Sequence, residues 1–118
     1  MKNKSLIICL VILVITIIVT LLIFLPKKPG EHDEFAQCLT DAGLKMYGTD
    51  WCQYCKEQKK LFGKSFKLVD YINCDKNKET CLIEGVTRYP NWKINRTSYL
   101  GVQSFETLSE LTGCNLNK

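Results

Sequence analysis

The stretch Thr49-Asp50-Trp51-Cys52-Gln53-Tyr54-Cys55-Lys56-Glu57-Gln58-Lys59-Lys60-Leu61-Phe62 decides the reading of this chain. From Cys52 to Phe62 it has helical spacing, with Cys55, Gln58, Leu61 and Phe62 on one face, Lys56, Lys59 and Lys60 on the other, which is expected to be a solvated surface, and Gly63 at the stop. Leu44-Lys45-Met46-Tyr47 just upstream is a short strand candidate, so Cys52 falls where a strand hands over to a helix. Unpaired N–H groups and the positive end of the helix dipole at that point stabilise an anion. A thiolate is such an anion, which makes Cys52 the expected exposed nucleophile. Cys55, one turn on and facing inward, is then the resolving thiol. A zinc half-site and a structural staple compete with this redox reading.

Working outward, Phe35, Cys38, Leu39 and Ala42 recur at helical spacing over 31–42, and Gly43 stands at the stop. Phe66 to Ile72 alternates as a strand, and 76–83 is a polar short helix. Asn91-Trp92-Lys93-Ile94 and Ser98-Tyr99-Leu100 form a hairpin through Asn95-Arg96-Thr97. Phe105, Leu108 and Leu111 are spaced for a closing helix ended by Gly113. Strands alternating with helices, then a hairpin, give an α/β fold with a mixed sheet.

The first quarter of the 118 residues is of another kind. Residues 6–25, LIICLVILVITIIVTLLIFL, carry no charge, and a run of about 20 such residues crosses a bilayer as a helix. A cleaved signal peptide is the competing reading, but its apolar region is roughly 7–15 residues long and ends in a small-residue cleavage site. Here the run ends in Phe24-Leu25-Pro26-Lys27-Lys28-Pro29, so a retained anchor is expected. The organisation is then a cytoplasmic terminus over 1–5, a transmembrane helix over 6–25, a stiff linker over 26–32 and one domain over 33–118.

Of the 16 Lys and Arg, four flank the apolar run, which leaves 12 against 12 Asp and Glu; the net charge of +4 thus belongs to the membrane junctions. Nothing basic remains in the domain to suggest nucleic acid. Lys2 and Lys4 balance Lys27 and Lys28, so charge does not set the orientation. The cysteines do. One of the seven, Cys9, lies in the apolar run; the other six, Cys38, Cys52, Cys55, Cys74, Cys81 and Cys114, crowd a small domain. Such usage belongs to oxidising compartments, which places the domain in the periplasm or outside the cell and the amino terminus inside.

Two further residues bear on the pair. Trp51 offers a flat apolar surface beside the attacking sulfur, its plain alternative being core filling. Pro90, in Thr87-Arg88-Tyr89-Pro90-Asn91-Trp92, enters a strand. Most such prolines are trans, cis X-Pro bonds being about 5–6%, but a cis-proline opposite the cysteines exposes backbone with which a peptide can pair.

With WCxxC at a strand-to-helix junction and a later proline ahead of a hairpin and a last helix, the chain resembles the thioredoxin superfamily. Phe35-Ala36-Gln37-Cys38-Leu39-Thr40, Lys45-Met46-Tyr47-Gly48, Trp51-Cys52, Cys55, Gln58-Lys59, Leu61-Phe62-Gly63, Tyr89-Pro90-Asn91-Trp92 and Leu111-Thr112-Gly113-Cys114 narrow the likeness. They resemble the thioredoxin-like domain that accompanies bacterial vitamin K epoxide reductase homologues, over nearly all of 35–114. The resemblance implies a thioredoxin-like fold behind one transmembrane helix, substrate contacts at Trp51, Tyr89 and Pro90, and a periplasmic oxidant. Its Cys52–Cys55 disulfide would pass to protein substrates by thiol exchange. A vitamin K epoxide reductase-like membrane partner would re-oxidise the pair with quinone, so no cofactor beyond the disulfide is expected in this chain.

Three departures from the family stand out. Gln53-Tyr54 replaces the Pro-His or Pro-Tyr often found between the cysteines, which leaves the redox potential open. Met46 stands where thioredoxins proper carry a buried acid, so proton transfer to Cys55 falls to water or Glu57. The four-helix reductase domain is not among these residues, which puts quinone chemistry in another chain.

An extra cysteine pair occurs in the resembling branch where Cys74 and Cys81 stand, and a disulfide between them is expected, structural or a relay to the membrane partner. Cys38 and Cys114 complete the even count, although six cysteines allow many connectivities. Zinc fits poorly, because structural sites take two closely spaced ligand pairs and the only histidine, His32, sits by the linker. Asn95-Arg96-Thr97 and Asn3-Lys4-Ser5 match a glycosylation pattern too short to weigh. Two alternatives stay open: the same fold run as an anchored reductant or isomerase, and a non-catalytic module stabilised by disulfides or zinc.

Overall fold

The computed structural model describes residues 1–26 and 28–116. Helix α1 runs from Lys2 to Phe24, 23 residues, with a mean hydropathy of 3.6 over its most apolar window, and is long and apolar enough to cross a membrane. At 1.5 Å per residue it reaches about 35 Å, against roughly 30 Å of hydrocarbon. Its two internal hydroxyls are satisfied within the helix: Thr16 Oγ1 donates to the Leu13 carbonyl at 2.8 Å and Thr20 Oγ1 to that of Ile17 at 2.8 Å. No polar side chain in the apolar run therefore needs water.

Helix α2 (Asp33–Asp41) buries Phe35, Ala36 and Leu39, and places Asp33 and Glu34 in its first turn, where the dipole favours negative charge. Gly43 stops it at φ 84°, a conformation glycine adopts without strain. Upstream, the chain predicted as linker already lies against the domain: Gly30 N–H donates to Asp33 Oδ2, His32 N–H donates to Ser65 Oγ, and the His32 ring meets Phe105 edge-on at 4.7 Å.

Strand β1 (Lys45–Gly48) turns through Thr49–Trp51 into helix α3 (Gln53–Phe62). Cys55, Gln58 and Phe62 are buried as the helical spacing predicts, whereas Leu61 is 48% exposed. The strand expected from Phe66 is a 3-10 helix over Gly63–Leu68, and strand β2 begins only at Asp70. Tertiary contacts override the alternation here. The Phe66 ring packs on Phe62 at 6.1 Å and Tyr71 at 5.4 Å, while Thr40 Oγ1 donates to the Leu68 carbonyl and accepts from Asp70 N–H, fixing where extended chain can begin.

After β2 (Asp70–Asn73) comes the one-and-a-half-turn helix α4 (Lys78–Ile83), which buries only Cys81. Strands β3 (Asn91–Ile94) and β4 (Thr97–Leu100) form the hairpin, with Asn95 and Arg96 both at positive φ, as a two-residue primed turn requires. Ser104 caps the closing helix α5 (Phe105–Thr112) by accepting from Thr107 N–H, and Gly113 ends it at φ 76°.

The sheet order is β2-β1-β3-β4, with β1 and β2 parallel and the other pairings antiparallel. A parallel βαβ unit followed by an antiparallel hairpin and a helix is a thioredoxin-like fold, a mixed sheet flanked by helices. Neighbouring strand residues serve opposite faces: Met46 joins the main core, where the Phe62 ring meets Phe35, Trp92 and Phe105, while Tyr47 joins a smaller cluster with Cys74, Cys81 and Val86.

Candidate active site

Cys52 is the N-cap of α3, with extended backbone at φ −74° and ψ 115°, and its sulfur accepts the Cys55 N–H at 3.1 Å. An otherwise orphaned helix N–H therefore points at this sulfur. Cys52 and Cys55 are disulfide-bonded with Cα atoms 5.2 Å apart. Cys52 is 6% exposed and Cys55 0%. The expected exposed nucleophile is thus mostly covered, because the N-cap position folds its side chain over the first turn, but what access exists belongs to Cys52 alone.

Gly48 lies directly behind the pair, and a Cβ there would stand 2.8 Å from Cys55 Sγ, so the end of β1 must be glycine for the sulfur to seat. Trp51 is a surface platform, 69% exposed, rather than core filling. Its ring meets Tyr89 edge-on at 6.0 Å, its Nε1–H donates to Asp75 Oδ1 at 3.2 Å, and Asp50 N–H donates to Asp75 Oδ2 at 3.3 Å. Spacing alone gave no hint of Asp75, which reaches the site only through the β1–β2 pairing.

Pro90 follows a cis Tyr89–Pro90 bond and is fully buried. The antiparallel register Tyr47↔Asn91 brings it level with the end of β1, beside the turn that carries the cysteines. Its carbonyl is taken by Gly101 N–H at 2.9 Å. Trp51, Tyr89, Pro90, Cys52 and Cys55 therefore belong to one end of the sheet.

The second disulfide, Cys74–Cys81, has Cα atoms 5.8 Å apart and both residues buried. A cavity of about 280 Å³ is lined by this disulfide together with Thr49, Trp51, Leu82 and Tyr89. The third, Cys38–Cys114, with Cα atoms 5.9 Å apart, ties α2 to the chain after α5. Cys9 is the free cysteine among the described residues.

Two side chains lie other than predicted. Glu57 is exposed while Cys55 is wholly buried, and two residues apart on a helix they face away from each other, so Glu57 is no proton partner. Lys59 is not part of a purely solvated face: its Nζ sits 4.0 Å from the centroid of the Tyr71 ring. Met46 is fully buried, leaving no acid at that point of the strand. Gln58 is buried and satisfied, accepting from Trp92 Nε1 and Gln103 N–H, which locks α3 to β3 and to the loop before α5. Among the described residues no three His, Cys, Asp or Glu are grouped to hold a metal.

No family model matches the chain. Over 92 residues, 70% of this chain, it is 33% identical to the thiol-disulfide oxidoreductase LTO1 of Arabidopsis thaliana, and it spans about a quarter (24%) of that protein's length. Among solved structures it is similar to the oxidised thioredoxin of Plasmodium falciparum, at 22% identity and a TM-score of 0.43, covering 68% of this chain and 88% of that one. The chain is thus similar in sequence to a thiol-disulfide oxidoreductase, with its own Cys-x-x-Cys pair at the head of α3.

Proposed function

We propose that this protein is a membrane-anchored thiol-disulfide oxidoreductase that introduces disulfides into exported proteins. The observation that carries the reading is the Cys52–Cys55 disulfide at the N-terminus of α3, with a helix N–H aimed at the Cys52 sulfur. A substrate thiolate attacks Cys52 Sγ, the only sulfur of the pair with any exposure, and Cys55 leaves as a thiolate. A second substrate thiolate then attacks the substrate sulfur of the mixed disulfide and releases Cys52, whose negative charge the helix N-terminus stabilises. The better that stabilisation, the more favourable the reduced form and the stronger the oxidant.

Trp51 and the half-buried Tyr89 form the surface against which the substrate lies, beside the buried Pro90. Three disulfides in one small domain support an oxidising compartment, with α1 as the anchor and the amino terminus inside the cell. The reduced pair is re-oxidised by a membrane partner of the vitamin K epoxide reductase kind, which supplies the quinone chemistry.

Mixing the full chain in micelles with a reduced, unfolded two-cysteine protein tests this. Substrate disulfide should appear as Cys52–Cys55 is lost, and a Cys55→Ala variant should be recovered joined to substrate through Cys52. Failure to trap any adduct at Cys52 would sink the reading. Alkylation with an impermeant thiol reagent in intact cells tests orientation, and a domain found in the cytoplasm removes the export role.

A further inference from the structure

The notch left by Gly48 has a second wall. Besides Cys55 Sγ at 2.8 Å, the point where a Cβ would stand lies 3.1 Å from Tyr71 Cε2 and 3.3 Å from Tyr71 Oη. Tyr71 comes from β2, paired in register with Met46, so a hydroxyl and a sulfur from separate elements converge on one missing side chain. The hydroxyl oxygen is buried and has no hydrogen-bond partner among the described residues. Buried polar groups are nearly always paired, and one left alone calls for an explanation in function or strain.

The surroundings show what partner would suit it. Burial, then the charges of Asp50 and Asp75, push Tyr71 up to about 12, so at neutral pH it keeps its proton and can only gain by donating it. Lys59 Nζ covers the ring and Phe66 packs beside it. On the cysteine side Met46 is apolar and Glu57 faces solvent. In the disulfide Cys55 Sγ is a weak acceptor, but once the bond opens it becomes a buried anion with Tyr71 as its neighbour across the notch.

We propose that the Tyr71 hydroxyl is the hydrogen-bond donor that stabilises the Cys55 thiolate released when a substrate opens the Cys52–Cys55 disulfide. The proposal rests on the oxidoreductase reading above and deepens it. In that step the substrate–Cys52 S–S bond forms, the Cys52–Cys55 bond breaks and its electron pair stays on Cys55 Sγ. Tyr71 donates its hydrogen bond there without giving up the proton. No further oxidant enters, and in the reverse direction the same contact keeps Cys55 in its attacking form.

The test uses the full chain in micelles with Cys52→Ala, which leaves Cys55 a free thiol beside the other two disulfides. The pH at which Cys55 ionises is read from its ¹³Cβ shift. Adding Tyr71→Phe should lower the thiolate-to-thiol ratio at a given pH about tenfold, as loss of a hydrogen bond to a charged group predicts. An unchanged midpoint overturns the proposal. If the double variant does not fold, the Tyr71 ¹³Cζ signal in the Cys52→Ala chain must move with the Cys55 midpoint; a flat signal overturns it equally. Exchange by the wild-type chain, assayed in parallel on a dithiol peptide, judges the enzymatic reading separately: a shifted midpoint without exchange retains the Tyr71–Cys55 pair and retires the oxidant.

Discussion

Cys52–Cys55 and Cys74–Cys81 are chemically the same bond in the same small domain, and Tyr89 packs against the cluster of each. They differ in what surrounds the sulfur. Cys52 caps a ten-residue helix and receives a backbone N–H, with a glycine notch behind its partner. Cys74 follows the end of β2, its own N–H spent on the Gly48 carbonyl, and it packs with Cys81 among Tyr47, Val86 and Ile72, where no N–H of the described residues donates to either sulfur. A thiolate would be stabilised in the first setting and penalised by apolar burial in the second. The environment of a disulfide, not its presence, separates an exchangeable pair from a clasp.

The largest difference is expected on removing the attacked sulfur from the first site and both sulfurs from the second. Cys52→Ser should abolish exchange, about a thousandfold or more in rate, since the attacked atom is gone. Replacing both Cys74 and Cys81 by Ser should leave exchange within about tenfold and appear as lost stability of about 2–4 kcal/mol in denaturant unfolding. Comparable losses of exchange in the two variants would erase the distinction.

Gly48→Ala comes next. A Cβ 2.8 Å from Cys55 Sγ forces the sulfur or the strand to move, and overpacking of this kind costs about 1–3 kcal/mol. Lower thermal stability together with slower exchange is expected, checked by calorimetry and a peptide oxidation assay. Normal behaviour would mean the notch is not needed.

Asp75→Ala should release the Trp51 indole and the Asp50 amide. Loss of the Trp51 hydrogen bond, worth about 1 kcal/mol, predicts roughly a fivefold rise in KM for a peptide substrate, with little change in kcat and a shifted emission of the exposed tryptophan. A fall in kcat alone would contradict the platform role.

The smallest effect is that of alkaline pH. Tyr71 and Tyr47 are both raised in the folded state, chiefly by burial. Each binds its proton more tightly when folded, so the stabilisation is complete below the ordinary tyrosine value near 10 and is lost as pH rises above it, for Tyr71 towards about 12. Urea midpoints should fall across that window, and Tyr71→Phe should flatten the slope; an unaltered slope would show that Tyr71 is not the group responsible.

Much of this was legible beforehand because it is local. The apolar run, the strand-to-helix handover at Cys52, the closing glycines at 43, 63 and 113 and the hairpin turn are all written in neighbouring residues. What escaped depends on which strands pair. Asp75 and Tyr71 reach the site only because β2 lies parallel to β1 in one register, and nothing in their spacing from Cys52 announces it. The alternation from Phe66 to Ile72 misled because Phe66 is claimed by Phe62 and Tyr71 and the strand start is fixed by Thr40, a residue of α2. Lys59 read as solvated because its cover, the Tyr71 ring, belongs to another element.

Of the three disulfides, only Cys52–Cys55 is expected to exchange. Equilibrating the full chain in micelles against a series of glutathione buffers, with each pair quantified by alkylation and mass, tests it directly. Cys52–Cys55 should titrate reversibly above about −200 mV while Cys74–Cys81 and Cys38–Cys114 stay oxidised to below about −300 mV. A Cys52–Cys55 value near −270 mV would turn the oxidant into a reductant. The absence of any reversible couple at that pair, or a couple at Cys74–Cys81 instead, would show that Cys52–Cys55 is not the exchanging disulfide.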